Sequence, residues 1–139
     1  MGGLDFVVIA IIAANVLMSF KGFNDYAFFN RYKFEISSIQ AGDKIRIFSS
    51  AFLHVDTTHL FVNMLTLYFF ASSVVSFVGT GGFLLIYFGS LVLGNLLSLQ
   101  FHKDEYNYTA VGASGAVVGV LYAAILLQPD MMLGLFFII

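Results

Sequence analysis

Apolar residues run almost without interruption through most of this chain, and the positions that break the runs define its elements. From Thr57 to His102 there is no Asp, Glu, Lys or Arg, a stretch of 46 residues. As one straight helix it would be about 70 Å long at ~1.5 Å per residue, roughly twice a bilayer's hydrocarbon core of ~30 Å. The stretch must therefore turn once, and Gly79-Thr80-Gly81-Gly82 is the place where the backbone is freest to do so.

The same pattern predicts a first helix from about Leu4 to Phe20 and a charged loop from Lys21 to about Ser50. A second helix is expected from Asp56–His59 to about Val78, a third from about Phe83 to Phe101, and a fourth from about Ala113 to Leu127. Gln128-Pro129-Asp130 ends the fourth, because proline disfavours helix at the residue before it. A fifth apolar run starts at Met131. Its nine residues to Ile139 would cover only about 14 Å as a helix, too short to cross a bilayer. The expected fold is all-α: one membrane domain, 1–139, a polytopic helical bundle of four complete helices and a truncated fifth.

Composition narrows the class. Of 139 residues, 60% are hydrophobic and 10% charged, and the mean hydropathy is +0.93, far from the roughly 25% charged residues of soluble domains. With no Cys, thiolate chemistry and Cys-based metal sites are excluded. A net charge of −2 offers no basic surface for nucleic acid. The first twenty residues lack a positive n-region, carry Asp5, and lead into further apolar helices, so they are expected to remain as an anchor and not to be a cleaved signal peptide. The 21–50 loop mixes charges with Phe23, Tyr26, Phe28, Phe29, Tyr32 and Phe34, which suggests an amphipathic segment seated at the membrane interface, with an unstructured aqueous loop as the alternative.

Polar groups at membrane depth are costly unless they pair or work. His59 and Asn63 lie four residues apart, on one helical face; such a pair serves equally well as hydrogen-bonding glue between helices. Gly112-Ala113-Ser114-Gly115 opens the fourth helix, where unpaired N–H groups and the positive dipole end lie beside the serine oxygen. That environment suits a nucleophile and its oxyanion. Here too there is a packing alternative: Gly115–Gly119 and Ser90–Gly94 are small-xxx-small steps that let membrane helices approach closely. If the hairpin returns the fourth helix to the second, a serine meets a histidine and an asparagine, a nucleophile with two oxyanion donors and no general base.

Arg46-Ile47-Phe48-Ser49-Ser50-Ala51-Phe52-Leu53-His54, His59-Leu60-Phe61-Val62-Asn63-Met64 and Gly112-Ala113-Ser114-Gly115-Ala116 together resemble the rhomboid intramembrane serine proteases, in order and spacing over essentially the whole chain. The resemblance implies that Ser114 is the nucleophile, and that its own N–H with the His59 and Asn63 side chains forms the oxyanion hole. It gives His54 a mainly structural role and Arg46 that of fixing the long, half-submerged loop. The family's base is a histidine on a sixth helix, beyond this chain, so the chain alone is expected to be inactive. No metal and no cofactor are implied; the partners would be transmembrane protein substrates and the lipid bilayer, and the location a multi-pass position in the cell (inner) membrane.

Ile45, Val75 and Val118 stand where many members carry Trp, Glu and an aromatic residue. Five of the six Lys and Arg residues lie in the 21–50 loop, which the positive-inside tendency would place in the cytoplasm; the resemblance places it outside, and that orientation is adopted. Two other functions compete with proteolysis. One is a rhomboid-like protein that binds transmembrane helices without cutting them. The other is a metal site or transporter built on His54, Asp56 and His59, whose spacing matches no recognised ligand motif.

Overall fold

A computed structural model describes residues 5–130. The fold is mostly helical: α1 (Phe6–Asn24), α2 (Tyr26–Tyr32), α3 (Ile36–Gln40), α4 (Arg46–Ser49), a 3-10 turn (Ser50–Phe52), α5 (Thr57–Phe101) and α6 (Ser114–Leu127). Two of these, α1 and α5, are long and apolar enough to cross a membrane. The fifth apolar run, from Met131, lies outside the described residues.

The charge-free stretch is a single helical element interrupted at one residue. Gly79 has φ +77° and ψ 172°, a conformation open to glycine alone. Thr80, Gly81 and Gly82 are already helical, so the turn is tighter than the four-residue cluster suggested. Contacts along the bundle show that the chain reverses there. At one end, Thr80 Oγ1 donates to Asp5 Oδ2 (2.6 Å), at the start of α1. Further along, Asn15 Nδ2 donates to Tyr87 Oη (3.3 Å). At the other end, Ser19 Oγ meets His54 Nδ1 (2.9 Å), just before α5 begins. The first arm of α5, 57–78, is thus antiparallel to α1, and the second arm, 80–101, runs back alongside it.

Helix α6 lies against both arms, as Gly119 against Ser90 and the Ser73 Oγ hydrogen bond to Gln128 Oε1 show. A Cβ at Gly119 would overlap the Ser90 side chain, so the two small-residue steps foreseen as packing devices do meet. The core between the helices is built from Leu67, Ala71, Val74, Phe83, Leu91, Val117 and Val120 among others.

The largest departure is in the loop. Helix α1 continues four residues beyond Phe20, and the segment after it is structured, not an aqueous coil. Asp25 caps α2 by accepting from Phe28 N–H (3.1 Å). An antiparallel pair, β1 (Phe34–Glu35) with β2 (Thr109–Ala110), joins the loop to the segment before α6, in the register Phe34 to Ala110 and Glu35 to Thr109. The all-α expectation missed this pairing. Ile36 N–H and Ser37 N–H extend the seam by donating to the Tyr108 and Tyr106 carbonyls.

Arg46 locks the loop from within. Only 8% exposed, its Nη1 donates to the Asn30 and Lys33 carbonyls (both 2.9 Å) and its Nε to Asp43 Oδ2 (2.8 Å), with Glu35 Oε1 3.8 Å away. The neighbouring Ile45 is exposed, so the arginine holds the loop without help from an aromatic residue at that position.

Candidate active site

Ser114 is the first residue of α6. The chain reaches it through Gly112, whose φ of +128° requires glycine and whose N–H donates to the Ser50 carbonyl (3.0 Å). In this first turn the N–H groups of Ser114, Gly115 and Ala116 have no acceptor within the helix, which leaves a cluster of donors around the serine.

His54 stands at the centre of the neighbouring polar network and is 1% exposed. Its Nε2 faces two donors, Asn63 Nδ2 at 3.0 Å and the Ala113 backbone N–H at 3.3 Å. Nε2 therefore carries the lone pair and Nδ1 the proton. Nδ1–H donates to Ser19 Oγ (2.9 Å), and Ser19 O–H donates in turn to the Phe52 carbonyl (2.9 Å). Every polar atom of the ring is satisfied in the neutral state. Burial, and secondarily the charge of His59, lower its pKa from 6.5 to about 4.

His59 is in a different situation. Asp56 is the N-cap of α5, and its Oδ1 accepts from the His59 backbone N–H (2.9 Å) and lies 2.7 Å from His59 Nδ1. The backbone hydrogen bond first, and the ring hydrogen bond next, hold the Asp56 carboxyl below the ordinary carboxylate range. Both side chains are more than half exposed.

His54, His59, Asn63, Gly112 and Ser114 line one cavity of about 260 Å³. On the other side of Ser114, Ser50, Asn95, Ser98 and Tyr108 help to line a second cavity of about 230 Å³. The three residues singled out from the sequence, His59, Asn63 and Ser114, are thus brought together. Asn63 spends one amide hydrogen on His54 and keeps another. The metal reading of His54, Asp56 and His59 gains no support: both ring nitrogens of His54 are engaged with Ser19, Asn63 and Ala113, and among the described residues no group of three or more His, Asp or Glu side chains is placed to hold a metal.

Ser19 escaped the sequence reading. Its signal was available, since Asn15 and Ser19 repeat on α1 the four-residue polar spacing of His59 and Asn63, and both are buried. Asp56 was considered only as a metal ligand, and its hold on His59 is the second omission.

The fold and this site define a helical membrane-protein class with a serine at a helix mouth, and comparison with known proteins makes it specific. The rhomboid domain family matches residues 41–139, and the chain belongs to the rhomboid family. RHOMBOID-like protein 12, mitochondrial, of Arabidopsis thaliana is 28% identical over 150 residues, covering 96% of this chain and 45% of that protein. Two proteins of Bacillus subtilis are also similar. Rhomboid protease GluP is 36% identical, covering 64% of this chain and 17% of its own length. Putative rhomboid protease YdcA is 34% identical, covering 57% and 39%. The chain therefore spans less than half the length of each of these relatives.

Proposed function

We propose that this chain carries the nucleophile and oxyanion site of an intramembrane serine endopeptidase. The observation supporting this most directly is the shared cavity of Ser114, His59 and Asn63 at the mouth of α6. In this reading Ser114 Oγ bonds to the carbonyl carbon of the scissile peptide. The carbonyl π electrons pass to oxygen, where the Ser114 N–H, Asn63 Nδ2 and His59 ring donate to it. The hydroxyl proton passes to a base. His54 does not suit that task, because its Nε2 already accepts from Ala113 and Asn63; the family resemblance assigns it to a histidine further along the protein. That histidine then protonates the leaving nitrogen as the oxyanion's electrons re-form the C=O and the C–N bond breaks; water, giving a proton to the same histidine, next adds to the acyl carbon, and the carboxylic acid leaves as Ser114 Oγ takes that proton back.

The substrate is a membrane-spanning protein with a locally unwound stretch, since regular helix ties up its carbonyls. The chain itself is read as multi-pass, with α1 and both arms of α5 crossing the bilayer and the shorter α6 packed against those arms. The Arabidopsis relative is named as mitochondrial and the Bacillus relatives are bacterial, so the inner membrane of a cell and a mitochondrial membrane are both consistent with the relatives.

A fluorophosphonate probe on the full-length protein in detergent tests the reading. Covalent labelling at Ser114 that disappears in Ser114→Ala, together with cleavage of a transmembrane substrate, is the expected result. A folded, unlabelled, inactive protein would instead favour a rhomboid-like binder of membrane helices.

A further inference from the structure

Asp56 does more than cap a helix. One carboxylate oxygen serves both the His59 backbone N–H and the His59 ring, at 2.9 and 2.7 Å. The cap alone needs only a neutral acceptor, which Asn or Ser supplies equally well. The contact with the ring has a chemical consequence. A carboxylate only accepts, so Nδ1 carries a hydrogen, and in the neutral ring Nε2 is then a bare lone pair. A lone pair would repel an oxyanion. His59 can offer an N–H from Nε2 while Nδ1 stays bound to Asp56 only as the doubly protonated ring.

We propose that Asp56 is a positioning residue of the oxyanion site, clamping His59 through Nδ1 so that Nε2–H of the doubly protonated ring meets the negative charge developing beside Ser114. This inference rests on the reading of Ser114 as the nucleophile. Among the described residues, the lining of the cavity around the ring supplies no competing charge. His54, the other titratable group facing it, is buried and hydrogen-bonded in its neutral form. Thr58, Val62 and Asn63 from α5, with Val111, Gly112 and Ser114 from the α6 side, complete the cavity and are uncharged. Asp56, just outside this cavity, therefore supplies the negative charge bound to His59.

The test is the pH dependence of cleavage by the full-length protein in liposomes, with kcat and KM measured from pH 5.5 to 9 on a transmembrane substrate. Asp56→Asn keeps a cap and removes the charge. Its thermal unfolding and KM are expected to match wild type, while the alkaline limb of kcat moves to lower pH. In a His59→Gln background the same substitution should change nothing further, since a neutral amide donor has no imidazolium to stabilise. An unmoved alkaline limb overturns the proposal, as does movement of the acidic limb, which would make His59 a base. So does an equal loss in the His59→Gln background, which would reduce Asp56 to a structural cap. If Asp56→Asn unfolds, Asp56→Ser provides a second neutral cap for the same comparison. Failure of wild-type labelling at Ser114 is a separate result: it removes the protease reading and this inference with it.

Discussion

His54 Nε2 accepts from Asn63 Nδ2 at 3.0 Å, and through that bond the residues flanking the start of α5 are tied to each other. The same nitrogen takes the Ala113 N–H, one residue before Ser114. A histidine that the family resemblance made mainly structural is thus the joint on which Asn63 and the serine's helix are both set. Asn63→Ala in the full-length protein would remove the proposed oxyanion donor and leave His54 with one partner fewer. Cleavage is expected to fall about 10²–10³-fold, with labelling at Ser114 still detectable. Turnover equal to wild type would take Asn63 out of the oxyanion site.

Ser19 supports this joint from α1. Its hydroxyl accepts from His54 Nδ1–H and donates to the Phe52 carbonyl, and it is 1% exposed. Ser19→Ala leaves a buried donor and a buried acceptor unpaired, a loss of about 1–3 kcal/mol. Equilibrium unfolding in mixed micelles should show it, while Ser19→Thr, which keeps the hydroxyl, should recover most of the stability.

Acidification should loosen the same network. His54 binds its proton with a pKa of about 4 in the fold against 6.5 in the unfolded chain, so between these values the unfolded chain holds more protons and stability rises with pH. The contribution is complete above about pH 6.5 and declines as pH falls toward 4, by about 3 kcal/mol in all. Unfolding measured at pH 7.5, 6, 5 and 4.5 should show this decline in wild type and a shallower one in His54→Gln. Parallel curves would show that His54 is not the group responsible.

The elements legible in the sequence were those set by a local period or by length. An uninterrupted apolar run of known length forced one reversal, and only glycine could supply the backbone it needed, so Gly79 was within reach. His59 and Asn63 shared a face by spacing alone, and the glycines around Ser114 marked a close approach. The structure of the 25–52 segment was not legible, because the contacts that order it are non-local. Arg46 reaches the Asn30 and Lys33 carbonyls, and β1 pairs with a strand 75 positions later in the chain. No periodicity encodes such contacts. Asp56 was missed for a different reason: a helix cap and a ring clamp use the same residue type at the same spacing, and only the 2.7 Å contact with Nδ1 separates them.

Close packing of α6 on the second arm of α5 gives the last prediction. A Cβ placed on Gly119 collides with both Cβ and Oγ of Ser90, and it lies 3.7 Å from the Ile86 carbonyl oxygen. Rotating the serine hydroxyl away would relieve only one of the two clashes, so Gly119→Ala must push the helices apart or bend one of them. Overpacking of this kind costs about 1–3 kcal/mol, partly offset by alanine's better helix propensity. Because Ser114 lies one turn and a fraction above Gly119 on the same helix, the displacement would also reach the proposed nucleophile. Gly119→Ala is therefore expected to lower both the unfolding temperature and the rate of fluorophosphonate labelling. Ser90→Gly removes both colliding atoms, and the Gly119→Ala, Ser90→Gly double variant should regain much of the labelling rate. Recovery confined to stability, with labelling still slow, would show that the α5–α6 spacing does not govern the position of Ser114.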